Sequence, residues 1–187
     1  MTKVLRPSVM CASEWFKRET RDEQAWKQVR LQTLRRDDWT CVYCGFRALK
    51  FMQVNHIGAE DNHELDNLET ICKPCHCVLH MGICASNGDL TVIESQADQI
   101  EIVRQTRTLV RQQKAWPLIE QTILEQFLLP GGRMYDSAES VGWANTMLAS
   151  IAPGEFRGYL PEGLAVVFHE EGPWKQFPES VHKWGMV

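Results

Sequence analysis

The feature that most constrains this chain is a repeated Cys-x-x-Cys motif, formed by Cys41 and Cys44 and, further along, by Cys72 and Cys75. Thiolate sulfur is a soft ligand, and four thiolates suit a tetrahedral Zn²⁺ ion. The motifs therefore predict a structural zinc site, and the alternative is a set of buried free thiols. The 27 residues between Cys44 and Cys72 exceed the roughly 15–20 of a usual zinc ribbon, so a folded segment must lie between the motifs.

The cysteine count and the hydropathy pattern indicate the cellular compartment. The 187-residue chain has seven cysteines, an odd number that clusters in one region, and this argues against the disulfide framework of a secreted protein. The N-terminus has no apolar run of signal-peptide length, and no stretch of about 18 apolar residues occurs in the chain. We therefore expect a cytoplasmic protein that is not inserted in a membrane.

Charge is distributed unevenly along the chain. The net charge of −4 is not the profile of a protein coated in basic surface for nucleic acid. Residues 1–36 nevertheless carry nine Lys and Arg against four acids, and the rest of the chain sums to −9. A basic helix there can contact phosphate, although a solvated helical face gives the same pattern. The candidate nucleic-acid contacts are Arg30, Arg35, Arg36, Arg47, Lys50 and Lys73.

The pattern of apolar residues and breakers predicts an α+β protein in three regions. Residues 1–38 form a basic N-terminal helix that packs on the next region, with its helical turns over 14–36. Residues 39–93 form a zinc-bound module. Residues 94–187 form a mainly helical C-terminal region with a tail rich in Pro and Gly.

Inside the module, short strands are expected over 51–56 and 68–71, with a polar turn between them. Pro74 can open a helix over about 74–81, and Gly82 can close it. We therefore expect the module to contain two strands followed by a helix, held together by the two cysteine motifs.

After the expected helix 74–81 the pattern predicts one further strand, three helices and a late apolar run. The expected elements are the strand 90–93, the helices 96–115, 117–129 and 137–150, a cap at Asp136 or Ser137, and the apolar run 164–168.

Several short motifs in the module occur together. They are Trp39-Thr40-Cys41-x-x-Cys44-Gly45, Val54-Asn55-His56-Ile57, Asn67-Leu68 and Cys72-x-x-Cys75-His76. In combination they resemble the HNH, or ββα-metal, nuclease family in its zinc-ribbon form, a treble-clef-like fold. The resemblance covers roughly residues 39–80, under a quarter of the chain.

This resemblance implies a metal-dependent DNA endonuclease or nickase. His56 would be the general base that takes a proton from water, and Asn67 would hold the turn and orient that base. His76, with the side-chain oxygen of Asn55, would bind one catalytic Mg²⁺ or Mn²⁺ that clamps the scissile phosphate and the leaving oxygen. His80 lies one helical turn after His76 and could replace or assist it.

Two features depart from the family pattern. Many members have Asp where this chain has Asn55, and an amide oxygen lacks the charge of a carboxylate, so the affinity for Mg²⁺ should fall. Cys77 and Cys84 lie close to His76 and His80 in the sequence, which leaves open a purely structural zinc ion there. His63 is expected to be an exposed loop residue.

A second resemblance extends over the whole chain. It is carried by Cys41-x-x-Cys44-Gly45-Phe46, Asn67-Leu68, Cys72-x-x-Cys75 with Cys77, Gly88-Asp89-Leu90, Tyr159-Leu160-Pro161 and Trp184. These residues are similar to the IcmJ/DotN-type proteins of type IVB secretion systems. That family implies an HNH-like zinc fold that serves as a structural subunit beside a coupling ATPase, without nuclease chemistry.

The two resemblances give two hypotheses. The first is an HNH-type DNA endonuclease, and it accounts for His56, Asn67 and His76 at HNH spacing. The second is a zinc-stapled adaptor of a secretion or conjugation coupling complex, which binds a protein partner through its helical C-terminal region. It accounts for the acidic net charge and for roughly 100 residues without a recognisable catalytic group.

Overall fold

The computed structural model describes residues 3–10, 23–170 and 172–174. Over these ranges the chain is an α+β protein with six α-helices and three small sheets of two antiparallel strands each. The strands are β1 (Ser8–Met10), β2 (Met52–His56), β3 (Leu68–Cys72), β4 (Leu90–Glu94), β5 (Arg157–Tyr159) and β6 (Leu164–Phe168). The helices are α1 (Glu23–Arg36), α2 (Lys73–Leu79), α3 (Met81–Ser86), α4 (Gln99–Arg111), α5 (Trp116–Phe127) and α6 (Ser137–Ala149), and a 3₁₀ turn spans Leu65–Asn67.

The predicted strand–strand–helix order is present in the middle of the chain. Strands β2 and β3 form an antiparallel hairpin whose register runs from Met52 opposite Cys72 to His56 opposite Leu68. Helix α2 begins at the next residue, with Pro74 in its first turn, where the missing N–H is no loss. The hairpin and the helix start therefore meet at Cys72.

The predicted end of this helix was wrong. Helix α2 ends at Leu79, the chain turns at His80 (φ −119°, ψ 40°), and Gly82 lies inside the next helix, α3. A Cβ atom on Gly82 would come within 3.2 Å of a Val9 methyl group and 3.3 Å of the Ala144 side chain. Gly82 is thus a site of close packing against β1 and α6 rather than a helix terminator.

The C-terminal part of the chain returns to the N-terminal part through two strand pairs. Strand β6, formed by the predicted apolar run, pairs with β4 so that Leu90 lies opposite Phe168 and Glu94 opposite Leu164. Strand β5 pairs in the same antiparallel sense with β1. Residues placed in different predicted regions therefore share sheets.

The three helices that follow β4 lie close to their predicted positions, and each of them ends earlier than predicted. Helix α4 begins after Asp98, whose side chain accepts a hydrogen bond from the Ile100 amide at 2.8 Å. Helix α6 begins after Asp136, which forms a reciprocal capping box with Glu139. Helix α1 covers the later part of the predicted helix 14–36, and residues 14–22 lie outside the described residues.

One hydrophobic core runs through the described chain, from Leu5 near one end to Trp174 near the other. The four motif cysteines belong to it. None of the helices in the described ranges combines the length and the apolar character that a bilayer crossing requires.

Candidate metal centre and buried polar network

The first cysteine motif lies in a tight loop after α1. The Cys41 amide donates to the Phe46 carbonyl at 2.8 Å, and the Gly45 amide donates back to the Cys41 carbonyl at 2.9 Å. Gly45 has φ 73°, a left-handed conformation that costs glycine little. This turn brings the side chains of Cys41 and Cys44 to the same side of the loop.

The second motif spans the junction between a strand and a helix. Cys72 is the last residue of β3, and Cys75 lies in the first turn of α2. The change from extended to helical backbone between them folds both side chains toward the first motif. The local sequence therefore builds each half of the site, and the β2–β3 hairpin brings the halves together.

The sulfur atoms of Cys41, Cys44, Cys72 and Cys75, hereafter the four-thiol cluster, converge on one point. All of them lie within 4.8 Å of one another, and the Cys44 and Cys72 sulfurs are 3.5 Å apart. A Zn–S distance of about 2.3 Å gives a tetrahedron with S–S edges of about 3.8 Å, which this spacing accommodates. The four residues are 0–5% exposed. The four-thiol cluster can therefore hold a metal ion such as zinc.

Arg107, which the sequence reasoning missed, completes the surroundings of the cluster. Its guanidinium donates to the Cys44 sulfur at 2.9 Å, lies 3.6 Å from the Cys72 sulfur, and stacks on the Phe46 ring at 4.5 Å. Hydrogen bonds from the neighbouring thiols, together with the charge of Arg107, hold the pKa of the Cys44 thiol well below its ordinary value. A metal bound by four thiolates carries net negative charge, which this buried cation offsets.

A sequence signal for Arg107 did exist. Along α4 the buried positions Ile100, Val103 and Val110 recur at helical spacing, and Arg107 occupies the remaining position on that face. An arginine on an otherwise apolar helix face must find a partner inside the protein.

The predicted base, His56, is enclosed at the end of β2. It is only 5% exposed, and its Nε2 lies 3.0 Å from Nδ1 of His63. The ring stacks on Trp26 of α1, with centroids 5.4 Å apart and an angle of 15° between the planes. His63 lies in a loop, as expected, but it is half-buried, so the expectation that it is exposed was wrong.

Asn67 holds the loop that follows His56. Its side-chain oxygen accepts from the Gly58 amide at 2.8 Å, and its Nδ2 donates to the Ala59 and Asn62 carbonyls, each at 2.7 Å. Both ends of the amide are therefore used to hold the β2–β3 connection.

Asn55 points away from His56, because adjacent strand residues face opposite sides of a hairpin. Its Nδ2 donates to the Glu69 carboxylate at 2.8 Å. The same carboxylate accepts from the Tyr43 hydroxyl at 2.7 Å and from the Lys3 ammonium at 2.7 Å. Burial, then the charge of Glu69, raises the pKa of the Tyr43 hydroxyl, so the phenol stays protonated as a donor.

The oxygen of Asn55 is occupied by Arg157 of β5. The Arg157 guanidinium donates to this oxygen at 3.1 Å, to the His56 carbonyl at 2.8 Å and to the Leu79 carbonyl at 3.1 Å. Arg157 is 8% exposed, and burial lowers its pKa. Asn55, Glu69, Tyr43 and Arg157 thus form one buried polar network, hereafter the Arg157 network. No motif in the Pro- and Gly-rich tail marked Arg157 as a site residue.

His76 and His80 lie at a different place from Asn55. Their rings meet edge to face, with centroids 4.5 Å apart, and both line a cavity that also includes Gln53. Asn55 instead lines a cavity with Arg157. The structure therefore brings the two helix histidines together and places the predicted strand ligand on another cavity.

Three of the six basic residues proposed to contact nucleic acid serve the fold. Arg30 donates to the Met52 carbonyl at 2.6 Å, and Arg47 forms an ion pair with Asp38 at 2.9 Å. Arg36 donates to the Leu68 carbonyl at 2.8 Å and pairs with Asp37. Of the others, Arg35 and Lys50 are exposed, and Lys73 lines the cavity of His76.

The sequence matches no protein-family model and no curated protein.

Proposed function

We propose that the protein is a zinc-stapled, non-catalytic adaptor. The four-thiol cluster, formed by Cys41, Cys44, Cys72 and Cys75, binds one structural Zn²⁺ ion, and the helical C-terminal region binds a protein partner. The resemblance to IcmJ/DotN-type proteins supports a subunit that sits beside the coupling ATPase of a type IVB secretion or conjugation system.

The observation that carries this proposal is the guanidinium of Arg157 against the Asn55 oxygen. In the HNH arrangement, this oxygen would be the ligand that strand β2 supplies to the catalytic metal. A divalent cation there would meet a buried positive charge, and like charges repel strongly where water is scarce. Asn55 itself brings no charge to offset this, because it is an amide where a carboxylate would serve better.

The surroundings of His56 support the same conclusion. A general base must reach the water that it activates within hydrogen-bond distance. The His56 ring instead lies against Trp26 and hydrogen-bonds to His63, and only 5% of the residue is exposed. These contacts suit an imidazole that packs the end of the hairpin.

A nicking assay tests the absence of catalysis. Zinc-loaded protein is incubated with supercoiled plasmid and Mg²⁺ or Mn²⁺, beside His56→Ala and His76→Ala variants. We expect no relaxation by any of the three proteins. Relaxation by the wild type that is lost in His56→Ala would establish a nuclease and overturn the proposal.

Binding to the coupling ATPase tests the adaptor role directly. Leu118 of α5 is 47% exposed, and Leu49 in the cysteine module is 50% exposed, so the two offer matched surface sites. We expect the protein to co-elute with a purified type IVB coupling ATPase, and Leu118→Glu to weaken this binding. Leu49→Glu serves as the control, and equal loss in both variants would remove the C-terminal region as the docking surface.

An HNH endonuclease is the second candidate, and one observation favours it. Asn67, at the end of the loop that follows His56, binds the backbone of Gly58 and Ala59 at the start of that loop, and the HNH resemblance implies such a turn-holding role. On that hypothesis Arg157 would have to leave the Asn55 oxygen when DNA and metal bind. The nicking assay distinguishes the two candidates.

A further inference from the structure

A second group of metal-binding side chains lies apart from the four-thiol cluster. The sulfurs of Cys77 and Cys84 and a carboxylate oxygen of Asp89 all lie within 4.8 Å of one another. Cys77 is buried at 6% exposure, while Cys84 and Asp89 are half-buried. The three residues come from α2, from α3 and from the turn before β4.

Backbone hydrogen bonds hold this group in place. The Asp89 amide donates to the Cys84 carbonyl at 2.8 Å, and the Asp89 carbonyl accepts from the His169 amide at 2.9 Å. The chain at Gly172 passes so close that an added Cβ would lie 2.5 Å from the Asp89 carbonyl oxygen. The convergence of the three side chains is therefore built by the α2–α3 turn and by the tail that follows β6.

The donor set selects a class of metal. Two thiols and one carboxylate combine soft and hard ligands, a set that suits Zn²⁺ and does not suit Mg²⁺ or Ca²⁺. Zinc bonds of about 2.3 Å to sulfur and about 2.0–2.2 Å to oxygen fit three donor atoms at this mutual spacing.

A cavity of about 260 Å³ opens beside the group and leaves room for a fourth ligand. His76, His80 and Gln53 also line it. The Gln53 side-chain oxygen is buried and has no hydrogen-bond partner among the described residues. A metal-bound water in this cavity would supply the kind of donor that this oxygen lacks.

We propose that Cys77, Cys84 and Asp89 bind a second Zn²⁺ ion, whose fourth position is a water in the cavity lined by His76, His80 and Gln53. Both cysteines bind as thiolates, so binding releases their protons to solvent. This site is distinct from the four-thiol cluster and does not depend on whether the protein is an adaptor or a nuclease.

Metal stoichiometry tests the site. Full-length protein is purified under a thiol-free reductant, equilibrated with excess zinc, desalted and measured by elemental mass spectrometry. We expect two zinc ions per chain in the wild type, one in a Cys84→Ser, Asp89→Asn double variant, and two in an Asp66→Asn control. One zinc ion in the wild type, or two in the double variant, would overturn the proposal.

Thiol labelling keeps the test decisive if the double variant does not fold. Zinc-loaded wild-type protein is alkylated in its native state, and the labelled cysteines are identified by peptide mass spectrometry. We expect Cys84 to be protected with zinc and labelled after mild chelation. Labelling of Cys84 in the zinc-loaded protein, or a Cys77–Cys84 disulfide in place of the metal, would contradict the proposal.

Discussion

The guanidinium of Arg157 donates to the side-chain oxygen of Asn55 at 3.1 Å, across 102 positions of sequence. This bond ties β5 to the strand that carries His56, and two further bonds to backbone carbonyls make Arg157 a buried junction between the hairpin and α2. A residue in the C-terminal region thus places a buried positive charge beside a strand in the middle of the chain.

Replacing Arg157 by alanine should destabilise the protein severely. The change removes the Arg157 donor from the Asn55 oxygen and from the His56 carbonyl, and it removes the positive charge near Glu69. The Leu79 carbonyl loses one of its two donors and keeps the Ser8 hydroxyl. Breaking a buried charge network of this kind typically lowers the free energy of unfolding by about 3–5 kcal/mol. Urea denaturation followed by circular dichroism measures the change.

The matched control is Arg111→Ala, in the last turn of α4, because Arg111 is exposed. A change at such a position is expected to stay within about 0.5 kcal/mol. Comparable losses in the two variants would show that the Arg157 network contributes nothing specific to stability.

The Asn55→Asp variant is expected to be harmful if the protein is an adaptor and to improve metal binding if it is a nuclease. Within the Arg157 network one oxygen of the new carboxylate keeps the contact with Arg157, but the other replaces a donor and faces the Glu69 carboxylate. We expect a net loss of about 1–3 kcal/mol in the free energy of unfolding. Two adjacent carboxyls raise the pKa of one of them, so the loss should grow as the pH rises and that proton leaves. Urea denaturation at several pH values measures this.

The same variant has the opposite expectation if a catalytic metal binds at Asn55. The added carboxylate would then lower the concentration of Mg²⁺ or Mn²⁺ needed for half-maximal plasmid nicking. Increased metal sensitivity without loss of stability would favour the nuclease.

Arg107→Leu should weaken zinc binding by the four-thiol cluster. The substitution keeps an apolar contact with Phe46 but removes the hydrogen bond to the Cys44 sulfur and the compensating charge. Loss of such a supporting contact typically costs about 10- to 100-fold in metal affinity. Competition with a chromophoric chelator measures the affinity.

Arg104→Ala is the control for this experiment. Arg104 lies on the same helix and donates to the Cys44 carbonyl at 3.2 Å rather than to a sulfur. Its loss should change the zinc affinity much less than Arg107→Leu, and equal effects would argue that general charge, rather than the sulfur contact, matters.

Asn67→Asp and Asn62→Asp form a matched pair in the β2–β3 loop. Asn67 uses its Nδ2 to donate to two carbonyls, and an aspartate would turn an acceptor toward both of them. We expect a loss of about 1–3 kcal/mol. The side-chain oxygen Oδ1 of Asn62 accepts from the Glu64 amide. Aspartate can accept the same hydrogen bond, so Asn62→Asp should leave the stability nearly unchanged. Thermal denaturation of both variants checks the difference.

Local pattern predicted much of the fold. The strand–strand–helix order and the cap, predicted at Asp136 or Ser137 and found at Asp136, depend on near neighbours in sequence, through side-chain alternation, capping and helix periodicity. The end of α2 was missed because Gly82 meets Val9 and Ala144, contacts that only the folded chain creates.

The sequence by itself determined each pair of thiols, because each pair is closed by its own turn or helix start, and the predicted hairpin between the pairs brings them together. The surroundings of the four thiols and of Asn55 were decided by the tertiary structure alone. Arg107 reaches the sulfurs from α4, and Arg157 reaches Asn55 from β5. The physical reason is that a buried cation is stable only where several elements, distant in sequence, supply hydrogen-bond acceptors together. The spacing of residues along the chain does not show which distant elements come into contact.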